Sequence, residues 1–286
     1  MNQALADLKE NTRNAEIAFF GGSFTAIDRN YMLSLLEATK EYISFFKGIR
    51  ISTRPDCIDK DILNILKYYG VTSIELGAQS MDDAVLLSNK RGHTSQDVIN
   101  ASLLIKEFDF SLGLQMMTGL YKSSYEKDIY TAEKFIKLRP DTVRIYPTIT
   151  MKNTDLAELY NKGEFIPDTL EESINICSKL IMMFTEHNIN IIRLGLHYSE
   201  SLIQNSLGDN YHPAFKELCE SEIFYNTLLD EARKSDSKNL IVYINEKSLS
   251  KFVGQKKSNL KKFDKLGYKI EIEFDNNLNK YDLYIK

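Results

Sequence analysis

Glu75–Thr94 reads ELGAQSMDDAVLLSNKRGHT. Just before and into it, Val71–Leu76 is a short apolar run containing β-branched residues, the mark of a buried strand. Gly77 is expected to end that strand, leaving Ala78-Gln79-Ser80 just past its end. Met81–Asn89 is expected as a helix, with Ser80 as its N-cap and Asp82 and Asp83 in the first turn, where the dipole favours acids. Gly92 fits the stop. In a parallel α/β protein, polar groups at the C-terminal ends of strands line the ligand mouth. Gln79 stands there, and its amide both donates and accepts. A polar turn followed by an ordinary arginine is the plainer reading, and on local chemistry both stay open.

Working outward, strands are expected at 17–20, 49–53, 71–76, 112–117, 142–146 and 189–194. Helical spacing falls between them, over 30–46, 59–69, 81–90, 95–107, 125–138 and 170–187. Strand and helix alternate as in a parallel sheet with right-handed crossovers. Six strands fall short of the eight of a closed barrel, so the expected fold is an α/β open, partial TIM-type barrel. After about residue 205 the rhythm changes. A helix (217–234), a strand (239–244), two short helices (247–253 and 258–265) and two strands (268–274 and 280–285) follow. We therefore expect two domains, 1–208 and 209–286, the second a small α+β module.

The 286 residues carry a net charge of −4, which by itself points neither toward nor away from nucleic acid. No apolar run is long enough for a membrane span and no signal-peptide pattern is present, so the expected setting is cytoplasmic. Cys57, Cys177 and Cys219 are too far apart in sequence for a disulfide framework or a metal-ligand cluster, and no metal site is expected in this chain. His93 and His197 have no partner at metal spacing.

GAQS followed by RGHT resembles the matching block of the radical S-adenosylmethionine (SAM) superfamily. The closest resemblance is to the Elongator catalytic subunit and the oxygen-independent coproporphyrinogen-dehydrogenase-like proteins. FFGGSFTAI (19–27), STRPD (52–56), LGLQMMTGL (112–120) and RPDTVRIYPT (139–148) with ELYNKGEF (158–165) recur in the same order. Five ordered blocks make the resemblance specific over roughly residues 16–200.

That resemblance implies a radical SAM-type enzyme that cleaves SAM reductively to a 5′-deoxyadenosyl radical. It implies SAM contacts at Gly21, Gly22 and Ser23 for the amino group, and at Ser52 where relatives place a carboxylate against the ribose. It also implies contacts at Gln79, at Gln115, and at Arg91, whose fork would pair the SAM carboxylate. Arg144 and Tyr146 alternate on one strand and are candidates to line the substrate mouth, although a packed tyrosine beside a structural ion pair fits them equally. No catalytic residue is assigned. The family holds its [4Fe–4S] cluster with a CxxxCxxC loop after the first strand. No such motif occurs here, so the expectation is that the first strand and cluster loop are missing and the chain binds no cluster.

Between residues 247 and 269 lie eight lysines and one acid, Asp264. Gly254-Gln255-Lys256-Lys257 joins two short helices in a β-α-α-β-β order, similar to a KH domain with its second glycine replaced. Gly254, Lys256, Lys257, Lys261 and Lys262 are the RNA-binding candidates, against a merely solvated basic face. The Elongator resemblance implies an RNA substrate, tRNA in the first instance; neither DNA nor a membrane is expected, and the oligomeric state is not readable. A catalytically inactive RNA-binding remnant and a small-molecule, tetrapyrrole-like oxidoreductase are the alternatives.

Overall fold

A computed structural model describes residues 1–286, apart from the side chains of Lys9 and Glu10. Its first elements are α1 (Asn2–Leu8), β1 (Glu16–Phe19), α2 (Arg29–Glu37), β2 (Gly48–Thr53), α3 (Lys60–Tyr68) and β3 (Val71–Gln79). Then come α4 (Asp83–Ser88), α5 (Ser95–Glu107), β4 (Ser111–Thr118), α6 (Tyr125–Leu138) and β5 (Thr142–Pro147). The middle holds β6 (Thr150–Met151), α7 (Asp155–Asn161), α8 (Leu170–Glu186), β7 (Asn190–Leu194), α9 (Glu200–Asn205) and β8 (Ser206–Leu207). The last are α10 (Phe215–Lys234), β9 (Asn239–Ile244), α11 (Leu249–Val253), α12 (Ser258–Lys265), β10 (Lys269–Phe274) and β11 (Leu283–Ile285).

Two compact units emerge, Met1–Tyr146 with Phe184–Arg193, and Pro147–Met183 with Leu194–Lys286. The units part differently from the expected 208/209 division: the chain leaves the first at Pro147 and returns to it over 184–193.

The first unit is a six-stranded open half barrel in the order β1-β2-β3-β4-β5-β7. β1 with β2, β2 with β3, and β3 with β4 pair in parallel. Asp28, Asp59, Asp82, Thr94 and Ser124 cap α2 to α6 by accepting backbone N–H groups, which fixes where each crossover helix begins. Ile17, Ile49, Ile51, Ile74, Leu76, Leu112, Leu114, Val143 and Ile145 are buried, and they alternate along their strands, so they share one face. The intervening residues put Glu16, Arg50, Glu75, Gln115 and Arg144 on the other face. Gly113 is the clearance on that face: a Cβ there would stand 2.7 Å from Glu75 Cγ and 3.1 Å from Thr142 Oγ1.

Around the opening stretch the structure corrects local expectations. β3 runs through Gly77 to Gln79, with a register shift against β4 between Leu76 and Gln79. The cap of α4 is Asp82, because the Ser80 hydroxyl is taken up by the Asp82 N–H and by Thr131. The helix expected over 30–46 stops at Glu37 and gives way to turns.

The second unit carries a three-stranded sheet in the order β10-β9-β11, with β9–β10 parallel and β9–β11 antiparallel, and a β6–β8 ribbon. The β-α-α-β-β order is as read from sequence. Phe224, Phe252, Phe263, Leu240, Val242 and Ile244 form its core. Glu220 is buried among them and fully met: Lys280 Nζ at 2.6 Å, Tyr281 OH at 2.8 Å and Lys251 Nζ at 3.5 Å. Burial pushes the Glu220 carboxyl up, but the bonds from Lys280 and Tyr281 and the two lysine charges outweigh it and hold it below the usual range. Cys177 and Cys219, forty-two residues apart in sequence, are both fully buried, and their thiols are in contact. No helix among the described residues is long and apolar enough to cross a membrane.

Candidate functional site

The polar face of the large sheet has a floor and a mouth. On the floor, Glu75 receives Arg144 Nε on Oε2 at 2.7 Å and Arg144 Nη2 on Oε1 at 3.1 Å, a bidentate fork reaching past Gly113. Arg50 Nη1 donates to Glu75 at 3.1 Å, and its Nε donates to Glu16 at 2.7 Å. Ser73 Oγ also reaches Glu16, at 3.0 Å. The result is a ladder Glu16–Arg50–Glu75–Arg144 spanning β1, β2, β3 and β5. Burial works against the Arg144 charge, but the bonds to Glu75 and Tyr146 outweigh it and raise its pKa.

Sequence reasoning missed Glu16, Arg50 and Glu75. The signal was present as charged residues at alternating positions in strands whose other face is apolar. Arg144, a mouth candidate, is bound into this floor, with Tyr146 OH 3.5 Å from its Nη1. The guanidinium lies 5.0 Å from the ring centroid of Phe20, which is 56% exposed, whereas Phe19 stacks on buried Phe24. Ser52 Oγ is 3.5 Å from Glu75 Oε2, so its hydroxyl is directed at the floor.

At the mouth stand five other candidates, four of them at or just beyond strand ends and Gln115 within β4. Gly21 and Gly22 are exposed beyond β1, and a Cβ at either would meet nothing within 4 Å. Ser23 follows, half-buried. Gln79 ends β3 in a left-handed conformation, φ +67°, and Gln115 Nε2 donates to its Oε1 at 3.2 Å. The structure thus joins Gln79 and Gln115 directly.

Arg91 lies after α4. Its Nε is out of solvent and has no hydrogen-bond partner. Burial first, and the charge of Arg54 second, pull its pKa below the ordinary value. Arg54 is itself held by a fork to Asp56, at 2.9 and 2.5 Å, and donates to the Gly92 carbonyl at 3.4 Å. An unmet, half-buried guanidinium repelled by a neighbouring cation suits an anion such as a carboxylate. A carboxylate is the kind of group Arg91 could receive.

The cysteines do not fit an iron–sulfur cluster. Cys177 and Cys219, on α8 and α10, are fully buried in the second unit's core with no room beside them shown for a cluster, which leaves Cys57 after β2, and a cluster needs three thiolates converging on one point. No three His, Cys, Asp or Glu side chains group at metal-binding distance among the described residues.

In the second unit, Lys256 (φ +51°) and Lys257 (φ +60°) stand exposed on the turn between α11 and α12. Gly254, φ +75°, is packed rather than open: a Cβ there would press on the Ser258 and Ser221 hydroxyls. Lys261 and Lys262 are exposed on α12, the latter 3.3 Å from Glu222 and 4.3 Å from the centroid of Tyr225.

Residues 1–135 match the Radical SAM superfamily model and residues 140–224 the Radical_SAM C-terminal domain. A tRNA uridine(34) acetyltransferase of Methanocaldococcus infernus is 39% identical over 135 residues, covering 45% of this chain and 24% of its own length. That of Methanocaldococcus jannaschii is 32% identical over 190 residues, 58% of this chain and 35% of its own. The chain thus spans about a quarter to a third of the length of these curated relatives. Among solved structures, archaeal Methanocaldococcus infernus Elp3 with an N-terminal deletion (1–46) superposes with a TM-score of 0.67 at 24% identity, over 79% of this chain and 58% of that one. That likeness shows the fold.

Proposed function

Over residues 1–135 and 140–224 the chain belongs to the radical SAM superfamily, and from that premise we propose that it presents SAM to an RNA substrate. The observation that carries this reading is Arg91, whose Nε is buried without a partner twelve residues after Gln79. Arg91 takes the SAM carboxylate. Gly21, Gly22 and Ser23 offer backbone and hydroxyl groups to its amino end, and the Gln79–Gln115 pair reads the adenosine. Ser52 makes at most a weak contact, since it is turned toward Glu75. In this family the bound group supplies a 5′-deoxyadenosyl radical when it meets a reduced cluster, whose thiolates this chain's three cysteines are not placed to supply. Arg144 and Tyr146 border the substrate side, Arg144 held rigid by Glu75.

RNA is favoured over a small substrate by the named tRNA activity of the relatives and by the lysine-rich turn. The β-α-α-β-β order, similar to that of a KH module, supports reading Lys256 and Lys257 as contacts to RNA backbone. Free thiols suit a reducing compartment, the cytoplasm. The test is a tRNA titration at about 50 and 200 mM salt. Affinity should fall steeply with salt, and Lys256→Glu with Lys257→Glu should weaken binding by roughly 1–3 kcal/mol with the fold intact. A double variant that binds like the parent at both salts would leave the patch as mere solvated surface.

A further inference from the structure

His93 is not among the ligand residues read from the sequence, yet its ring closes on the backbone they depend on. It lies between Gly92 and Thr94, the residue that opens the capping box of α5, so its position is fixed from both sides. The side chain is 6% exposed. Its Nε2 is 3.1 Å from the Ala78 carbonyl oxygen. A carbonyl only accepts, so Nε2 carries the proton and donates. In the neutral ring Nδ1 is then a bare acceptor, and it is buried without a partner.

The same Ala78 oxygen accepts from the Ser80 N–H at 2.8 Å, closing a three-residue turn around Gln79 at φ +67°. A γ-turn of this hand is rare and strained for a residue with a side chain. Beyond it the backbone is held separately, by Met81 N–H donating to Thr131 Oγ1 at 3.0 Å. Two stability costs therefore meet at one peptide: strain at Gln79 and an unmet nitrogen on His93. The ladder of β3 with β4 skips after Leu76 and resumes at Gln79, opposite Met116, so the strained turn takes up that register shift. The arrangement also secures the direction of the Gln79 amide toward Gln115.

We propose that His93 is the positioning residue for Gln79: its Nε2–H holds the Ala78 carbonyl in the strained turn and so aims the Gln79 amide at the adenosyl ligand. This rests on the reading that Gln79 faces SAM. A merely structural histidine and a positioning one predict opposite results. Removing a structural histidine lowers stability. Removing a positioning one, with its unmet nitrogen, leaves stability unchanged or higher and disorders the amide pair.

The experiment uses the full 286-residue chain carrying His93→Leu, His93→Gln or Gln79→Ala. Three quantities are followed: thermal midpoint, the NMR shift of the Gln115 side-chain amide, and SAM affinity. The amide shift reports the bond to Gln79 without any ligand. In His93→Leu the midpoint should hold or rise, the Gln115 amide should move to its position in Gln79→Ala, and SAM affinity should fall about fivefold. His93→Gln, whose amide N–H reaches a similar distance, should restore both. An unmoved Gln115 amide in His93→Leu overturns the proposal. So does a drop in midpoint that His93→Gln repairs without restoring the amide. If Gln79→Ala leaves SAM affinity unchanged, the SAM reading of Gln79 is what fails, and the amide shift still judges His93 by itself.

Discussion

Glu75 and Gln79 are four residues apart on β3 and face the same side of the sheet, yet their surroundings are opposite in kind. Around Glu75, two arginines meet the carboxylate, and one of them goes on to Glu16. Around Gln79 the backbone is strained and His93 Nδ1 lacks a partner, and farther along the chain Arg91 Nε lacks one too. Buried charge that is fully matched holds a sheet together. Buried polar atoms left unmatched beside a strained residue are tolerated where something arrives to meet them.

The sharpest way to break this comparison is to remove the centre of the floor. Glu75→Ala strands Arg50 and Arg144 without their shared carboxylate, and should lower the unfolding free energy of the first unit by about 3–5 kcal/mol in urea titration. A loss below about 1 kcal/mol would mean the ladder is solvated rather than structural. A smaller effect is expected from Gly113→Val, which crowds Glu75 Cγ and Thr142 Oγ1 without removing any charge. Overpacking of this sort should cost about 1–3 kcal/mol, read as a lower thermal midpoint. Smallest for stability is Arg91→Ala, expected within about 0.5 kcal/mol of the parent because no partner is lost. Its effect should appear in calorimetry with SAM, as an affinity loss of roughly tenfold or more. Equal affinity would place the carboxylate elsewhere.

The fold was legible because β-branched runs alternate with capped amphipathic helices from Ile17 to Leu194. The site was legible in part. Gln79 could be placed at its strand end by counting; Gln115, expected at a strand end too, lies within β4, three residues short of Thr118, and the two meet across the strands. The pairing of Arg144 with Glu75 was not, since the two are sixty-nine residues apart and touch only because Gly113, on the strand between them, has no side chain. The turn at Gln79 was misread as a strand break at Gly77, because glycine is the usual signal and a glutamine at positive φ leaves none. The two α7 and α9 helices were missed; each is a short segment with little periodicity to detect.

The contact between Cys177 and Cys219 gives the second unit a built-in clock. Alkylating reagents attack thiolates, and burial first, then the neighbouring thiol, hold the Cys219 thiol protonated well above its ordinary range. Cys57 is half-exposed in the first unit. In a labelling time course its reaction therefore reads local access, while the two buried sulfurs can be marked only as often as their helices separate. The slow phase measures how frequently that core opens in otherwise native solution.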